Sequence, residues 1–155
     1  MNLQEEVAML RRIPLFAHID PAKLKLLAFT SERLAYEAGQ IMFHQGAESD
    51  AAFVILSGTA DILTDSPQGP VSVARLERNA IVGEVAILCG MQRTATVKAL
   101  TRLETLRIKK DVFMSLLKEF PELSIEMMKV LASRLAKTTA ELTDARNKLK
   151  SAGVH

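Results

Sequence analysis

The sequence predicts an α+β domain in which helices at both ends flank an antiparallel β roll, a jelly-roll-like barrel. Three observations carry this reading. Apolar residues recur at helical spacing in the first 31 positions and again after Lys110. From Arg33 the chain instead breaks into short runs rich in β-branched and aromatic residues, divided by turn residues. Many short strands at near-regular spacing indicate an antiparallel sandwich or barrel. With 155 residues there is room for one domain, so 1–155 is read as a single unit: N-terminal helices over 1–31, the roll over 32–109 and C-terminal helices over 110–150.

The first helix is expected over 3–12, with Leu3, Val7 and Leu10 on one stripe and Pro14 ending it. Asp20-Pro21 opens a second. Asp20 caps it, and Pro21 sits at the first helical position, where its missing N–H costs nothing. Its apolar face is Leu24, Leu27 and Ala28. Strands are expected at 34–36, 41–44, 52–56, 59–63, 71–76, 94–98 and 103–108, punctuated by Gly39, Gly46, Ser57-Gly58 and the Asp65-Ser66-Pro67-Gln68-Gly69-Pro70 loop. A short helix over 112–119 stops at Pro121, which starts a long one reaching Lys150. There Met128, Leu131, Leu135, Thr138, Leu142, Ala145 and Leu149 step by three and four alternately, the seam of a coiled coil. That seam fits packing on the roll or pairing in a homodimer through 121–150.

Composition narrows the function. Hydrophobic residues make up 48% and charged residues 25%, a soluble globular balance. A chain of this length buries roughly 68–70% of its extended surface, so no staple is required. Lys and Arg number 20 against 18 Asp and Glu, a net charge of +2, which argues against a broadly basic nucleic-acid clamp. The single cysteine, Cys89, forbids an internal disulfide and a cysteine-only metal site, and fits a reducing compartment. On its apolar run it is expected to be buried and inert. Glu5 and Glu6 stand where a secretory signal carries basic residues, and no apolar run approaches the roughly 20 residues that span a bilayer, so a cytoplasmic chain with no membrane segment is expected. His18 and His44 have no partner at metal-ligand spacing, so no metal is expected, and the Met127-Met128 pair suits core or seam. There is no nucleophile–base–orienter set and no Gly-x-Ser-x-Gly, so the chain is not expected to be an enzyme.

One segment breaks the pattern: Val82-Gly83-Glu84-Val85-Ala86-Ile87-Leu88-Cys89-Gly90-Met91-Gln92-Arg93-Thr94-Ala95. A glycine precedes a turn of apolar helix formers with an acid at its start, and an arginine follows a glycine-containing loop. A helix start presents free backbone N–H groups to an anion, and Arg93 supplies a planar fork that suits phosphate. Glu84 is an acceptor for hydroxyls beside it. A ligand with a phosphate on one side and a ribose hydroxyl on the other answers both.

These residues resemble the phosphate-binding cassette of cyclic-nucleotide-binding domains, the family of the catabolite activator protein and of the protein kinase A regulatory subunit. Gly83-Glu84-Val85-Ala86-Ile87-Leu88 and Arg93-Thr94-Ala95 match its pattern, as do Arg12-Ile13-Pro14-Leu15-Phe16, the turn from Gly46 to Asp50, and Phe53-Val54-Ile55-Leu56-Ser57-Gly58. Val82 replaces the more common Phe, and Ala47 stands where Asp is frequent. The resemblance implies a cyclic purine nucleotide as ligand. Glu84 then accepts from the ribose 2′-hydroxyl, and Arg93 with N–H groups around Ala86 and Thr94 holds the cyclic phosphate; Val82, Val85 and Ala95 complete the pocket. The alternative is a structural Glu84–Arg93 salt bridge in an empty pocket. Thr94 serves either purine or simply fits a strand, and the bacterial style of the sequence tilts toward cyclic AMP over cyclic GMP. Arg134, off the seam, either caps the purine or is solvated. A ligand that touches both cassette and helix would favour the closed arrangement, making the helix the signalling element. The resemblance also admits the effector and dimerisation domain of a transcription regulator, or a ligand-free scaffold. Such regulators add a helix-turn-helix after the long helix, and this sequence ends at His155, so direct nucleic-acid binding is not expected.

Overall fold

The computed structural model describes residues 2–153. Helix α1 (Leu3–Arg11) starts at Asn2, whose side-chain oxygen accepts the Glu5 N–H at 2.8 Å. Pro14–Phe16 forms one 3₁₀ turn, which sinks Leu15 and Phe16 into the core. Helix α2 (Pro21–Thr30) has its expected cap, with Asp20 Oδ1 accepting the Ala22 N–H at 2.9 Å.

The strands are β1 (Glu32–Tyr36), β2 (Ile41–Phe43), β3 (Ala51–Ser57), β4 (Ala60–Thr64), β5 (Val71–Leu76), β6 (Ile81–Val82), β7 (Thr96–Ala99) and β8 (Leu103–Lys109). All pairings are antiparallel, and they form two four-stranded sheets, β1-β8-β3-β6 and β2-β7-β4-β5, not closed into a barrel. Two strands depart from the sequence expectation. The strand expected from position 94 begins only at Thr96, because the turn at Gly46 claims the backbone of Arg93: Gly46 N–H reaches the Arg93 carbonyl at 2.9 Å, and Arg93 N–H the Ala47 carbonyl at 2.8 Å. β6 has two residues, too few for any periodicity, and exists because Val82 and Ile81 pair with Phe53 and Val54.

The β3 run Ala51–Ile55 is buried at every position, and its side chains alternate between two apolar clusters. Ala51, Phe53 and Ile55 face the second sheet, where they meet Ala60, Val97 and Ala99; Phe43 and Phe53 stack across the gap at 5.9 Å. Ala52 and Val54 face the helices and pack with Phe16, Leu24, Phe113 and Leu123. At β3 the first sheet is therefore a middle layer, covered on both sides.

Helices α3 (Glu84–Cys89), α4 (Lys110–Glu119) and α5 (Pro121–Ser151) complete the chain. Cys89 is exposed rather than buried as expected. It lies two residues after the buried Ile87, about 200° further round the helix, so it points away from the core. Helix α5, 31 residues or roughly 46 Å long, is anchored near its start by buried Leu123 and Met127 and by half-buried Leu131. Met128, Leu135, Leu142 and Leu149 are exposed, so beyond Leu131 the seam does not pack on the roll. No helix among the described residues is long and apolar enough to cross a membrane.

Because so few buried residues anchor α5, Leu123→Ala is expected to cost about 2–5 kcal/mol in urea denaturation, the usual range for emptying a buried leucine site.

Candidate functional site

The site forms where β6 runs into α3. Gly83 is the hinge, with φ +84, in the left-handed region that side chains avoid. It has a second reason to be glycine. A Cβ there would collide with Nη1 of Arg93 and sit 3.3 Å from the Ala51 carbonyl oxygen. The turn and the seating of Arg93 are thus one constraint.

Arg93 is a buried cation, only 3% exposed. Its Nη1 donates to the Gly83 carbonyl at 3.0 Å, and Nη2 donates to the Ala51 carbonyl at 2.7 Å. Asp50 approaches Nη2 at 3.5 Å, and the guanidinium lies 4.1 Å from the centre of the Phe43 ring. Burial lowers the Arg93 pKa, with Asp50 and Glu84 opposing and Arg107 reinforcing that shift. Nε, also buried, has no hydrogen-bond partner among the described residues. A buried donor left without an acceptor costs about 1–3 kcal/mol. An acceptor supplied from outside would satisfy it.

Glu84, at the first position of α3, is 1% exposed. It does not bond to Arg93. Its partner is Arg134, whose Nη1 donates to Glu84 Oε1 while Nη2 donates to the Ile81 carbonyl at 2.7 Å. Burial is the main reason the Glu84 pKa is raised; Arg134, the residue's own N–H and, more weakly, Arg93 pull it back down.

All the sequence-read residues, 82–86, 93–95 and Arg134, line one cleft of about 280 Å³. Sequence reasoning missed other parts of its wall, among them Phe43 from β2, Val73 and Arg75 from β5, and Lys137 and Glu141 from α5. The last two had a signal, since they follow Arg134 by three and seven residues and so share its helical face. Val73 had none. It is the extra residue of a bulge, since Ile62 pairs with Ala74 but Leu63 with Ser72, and bulges re-aim side chains near sites. Chemically, the cleft offers a buried cation with an open donor, the free N–H groups of a helix start, and a buried hydroxyl acceptor.

Gly83→Ala is expected to cost about 1–3 kcal/mol, from strained φ and displaced guanidinium together, read by urea denaturation and by movement of the Arg93 Nε–H resonance. Glu84 also makes a pH prediction. With its pKa raised, the native chain keeps this proton to higher pH than the unfolded chain. Its contribution to stability therefore falls as pH rises from the ordinary carboxylate range through the raised value. Arg134→Met removes the main opposing charge, so a carboxyl-carbon titration should place Glu84 higher still.

Residues 33–120 match the Cyclic nucleotide-binding domain family. The chain is 32% identical over 122 residues to lysophospholipase NTE1 of Chaetomium globosum, covering 78% of this chain and 8% of that protein. It thus spans less than a tenth of the length of the curated relatives it matches. The regulatory domain of Toxoplasma gondii PKA, solved with cAMP, superposes with a TM-score of 0.74 at 17% identity over 84% of this chain and 50% of that one, a likeness of fold. The catabolite activator protein of Thermus thermophilus gives 0.72 at 25% identity, over 84% and 62%. With more than half its length matched and the cassette assembled around one cleft, the chain belongs to the cyclic nucleotide-binding domain family.

Proposed function

We propose that the chain is a non-catalytic sensor and regulatory module that binds a cyclic purine nucleotide, cyclic AMP ahead of cyclic GMP, and reports binding through α5. One observation carries this reading: the buried Nε of Arg93, without a partner among the described residues, belongs to a side chain that lines the cleft beside the start of α3. The cyclic phosphate takes that donor together with N–H groups near Ala86 and Thr94. The ribose 2′-hydroxyl donates to Glu84. The purine then extends toward the wall made by Val73, Lys137 and Glu141. In this reading the ionisable groups at the centre of the cleft, Glu84 and Arg93, hold and orient the ligand.

Helix α5 is the natural readout, since one stretch of it is anchored in the core, the next lines the cleft, and the last is exposed. The exposed Met128, Leu135, Leu142 and Leu149, seven residues apart, also support pairing with a second copy. That stripe favours a second reading, the effector and dimerisation half of a transcription regulator, and light scattering with and without nucleotide tests it.

Calorimetry with cyclic AMP and cyclic GMP tests the main proposal; no heat with either would overturn it. Arg93→Ala is expected to weaken binding by about 2–4 kcal/mol, roughly 30- to 1000-fold, since it strips a charge-assisted contact from a buried site. Hydrogen exchange across 121–150 should differ between free and saturated protein, and equal protection would remove α5 as the readout.

A further inference from the structure

Glu84 is the acceptor on which hydroxyl recognition depends, yet its side chain is 2% exposed. A hydroxyl must come within about 2.8 Å of a carboxylate oxygen to bond to it. With so little of the side chain open and Oε1 already taken by Arg134 Nη1, the hydroxyl has to compete for this carboxylate. Glu84 itself is fixed at the first position of α3, directly after β6 and Gly83. Arg134 is different: it is a long side chain, 34% exposed, reaching in from α5. Its fork spans the two acceptors of that wall, the Glu84 carboxylate and the Ile81 carbonyl at 2.7 Å. The sequence admitted Arg134 as a cap on the purine or as a solvated residue; here its guanidinium is paired with Glu84 and the Ile81 carbonyl.

We propose that Arg134 is an autoinhibitory latch: in the free protein it holds the carboxylate that the ligand's hydroxyl needs, so binding through Glu84 displaces Arg134 and releases the middle of α5. This inference rests on the cyclic-nucleotide reading and gives it a sign. The latch and the ligand compete, so apparent affinity is reduced by the fraction of molecules that are latched. A ligand can also bind by its phosphate alone and leave the latch closed, which makes the 2′-hydroxyl worth little in the wild type. With the latch gone the hydroxyl regains its full worth. Arg134 and the hydroxyl must therefore be non-additive, as groups sharing one partner are. Displacement removes the α5 contact next beyond Leu131, which ties occupancy of the cleft to the exposed part of the helix.

The experiment is calorimetry with cyclic AMP and its 2′-deoxy analogue on wild type, Arg134→Met, which keeps the aliphatic stem, and Arg134→Gln as a second variant should the first fail to fold. The expected result is tighter binding of cyclic AMP by the variant, about 5- to 100-fold. The deoxy penalty should stay within about 3-fold in the wild type and rise to about 10-fold or more in the variant. Binding by the variant where the wild type shows none also supports the latch. Equal or weaker binding by a folded variant overturns it and leaves the nucleotide reading standing. A deoxy penalty of about 10-fold or more in the wild type overturns it without any variant. Absence of binding by both proteins overturns the nucleotide reading, and the latch with it.

Discussion

A single buried cation organises this molecule. Taking a guanidinium out of water is costly unless partners surround it, and Arg93 gathers its partners from separate parts of the chain. The Gly83 carbonyl closes β6, the Ala51 carbonyl opens β3, Asp50 ends the preceding loop, and the Phe43 ring comes from the opposite sheet. The turn at Gly46 fixes the Arg93 backbone from a further side. Satisfying one side chain thus sets the approach of β3, the end of β6 and the late start of β7. What those partners leave open, Nε, is the chemical opportunity of the site.

The same economy explains why the cleft lies at the edge of the molecule and not in its centre. The layers are helix, sheet and sheet, with the first sheet covered on both faces at β3 and apolar there from Ala51 to Leu56. A polar ligand has no place there. At the β6 end, however, the sheet ends in a two-residue strand, and α3 begins where backbone N–H groups lack helical partners. Charged groups placed there stay close enough to one another to be compensated and close enough to solvent to be reached.

Helix α5 connects this site to the exterior. Its first turns belong to the core, its middle carries Arg134, Lys137 and Glu141 along one face of the cleft, and its end presents an apolar stripe to solvent. An unsupported helical end with leucines at heptad spacing gains most of its stability from a packing partner.

Much of this was legible before any coordinates. Asp20-Pro21, Pro14 and Pro121 marked helix boundaries through backbone chemistry that is local, and the short β-branched runs marked strands through a period that is local as well. The cassette residues stand within 14 consecutive positions, 82–95, so both the anion-binding turn and its arginine were open to a linear reading. Other features depend on distant contacts that no local pattern encodes. β6 exists only because β3 offers it a ladder, Cys89 faces out because α3 rotates its last position away from the core, and Phe43 and Val73 reach the cleft only once two sheets have stacked. Above all, the sequence placed Glu84 and Arg93 as neighbours and left Arg134 undecided. Pairing Glu84 with Arg134 instead, 50 residues away, needed α5 brought against the cleft, and packing at Leu123, Met127 and Leu131 is what docks that helix.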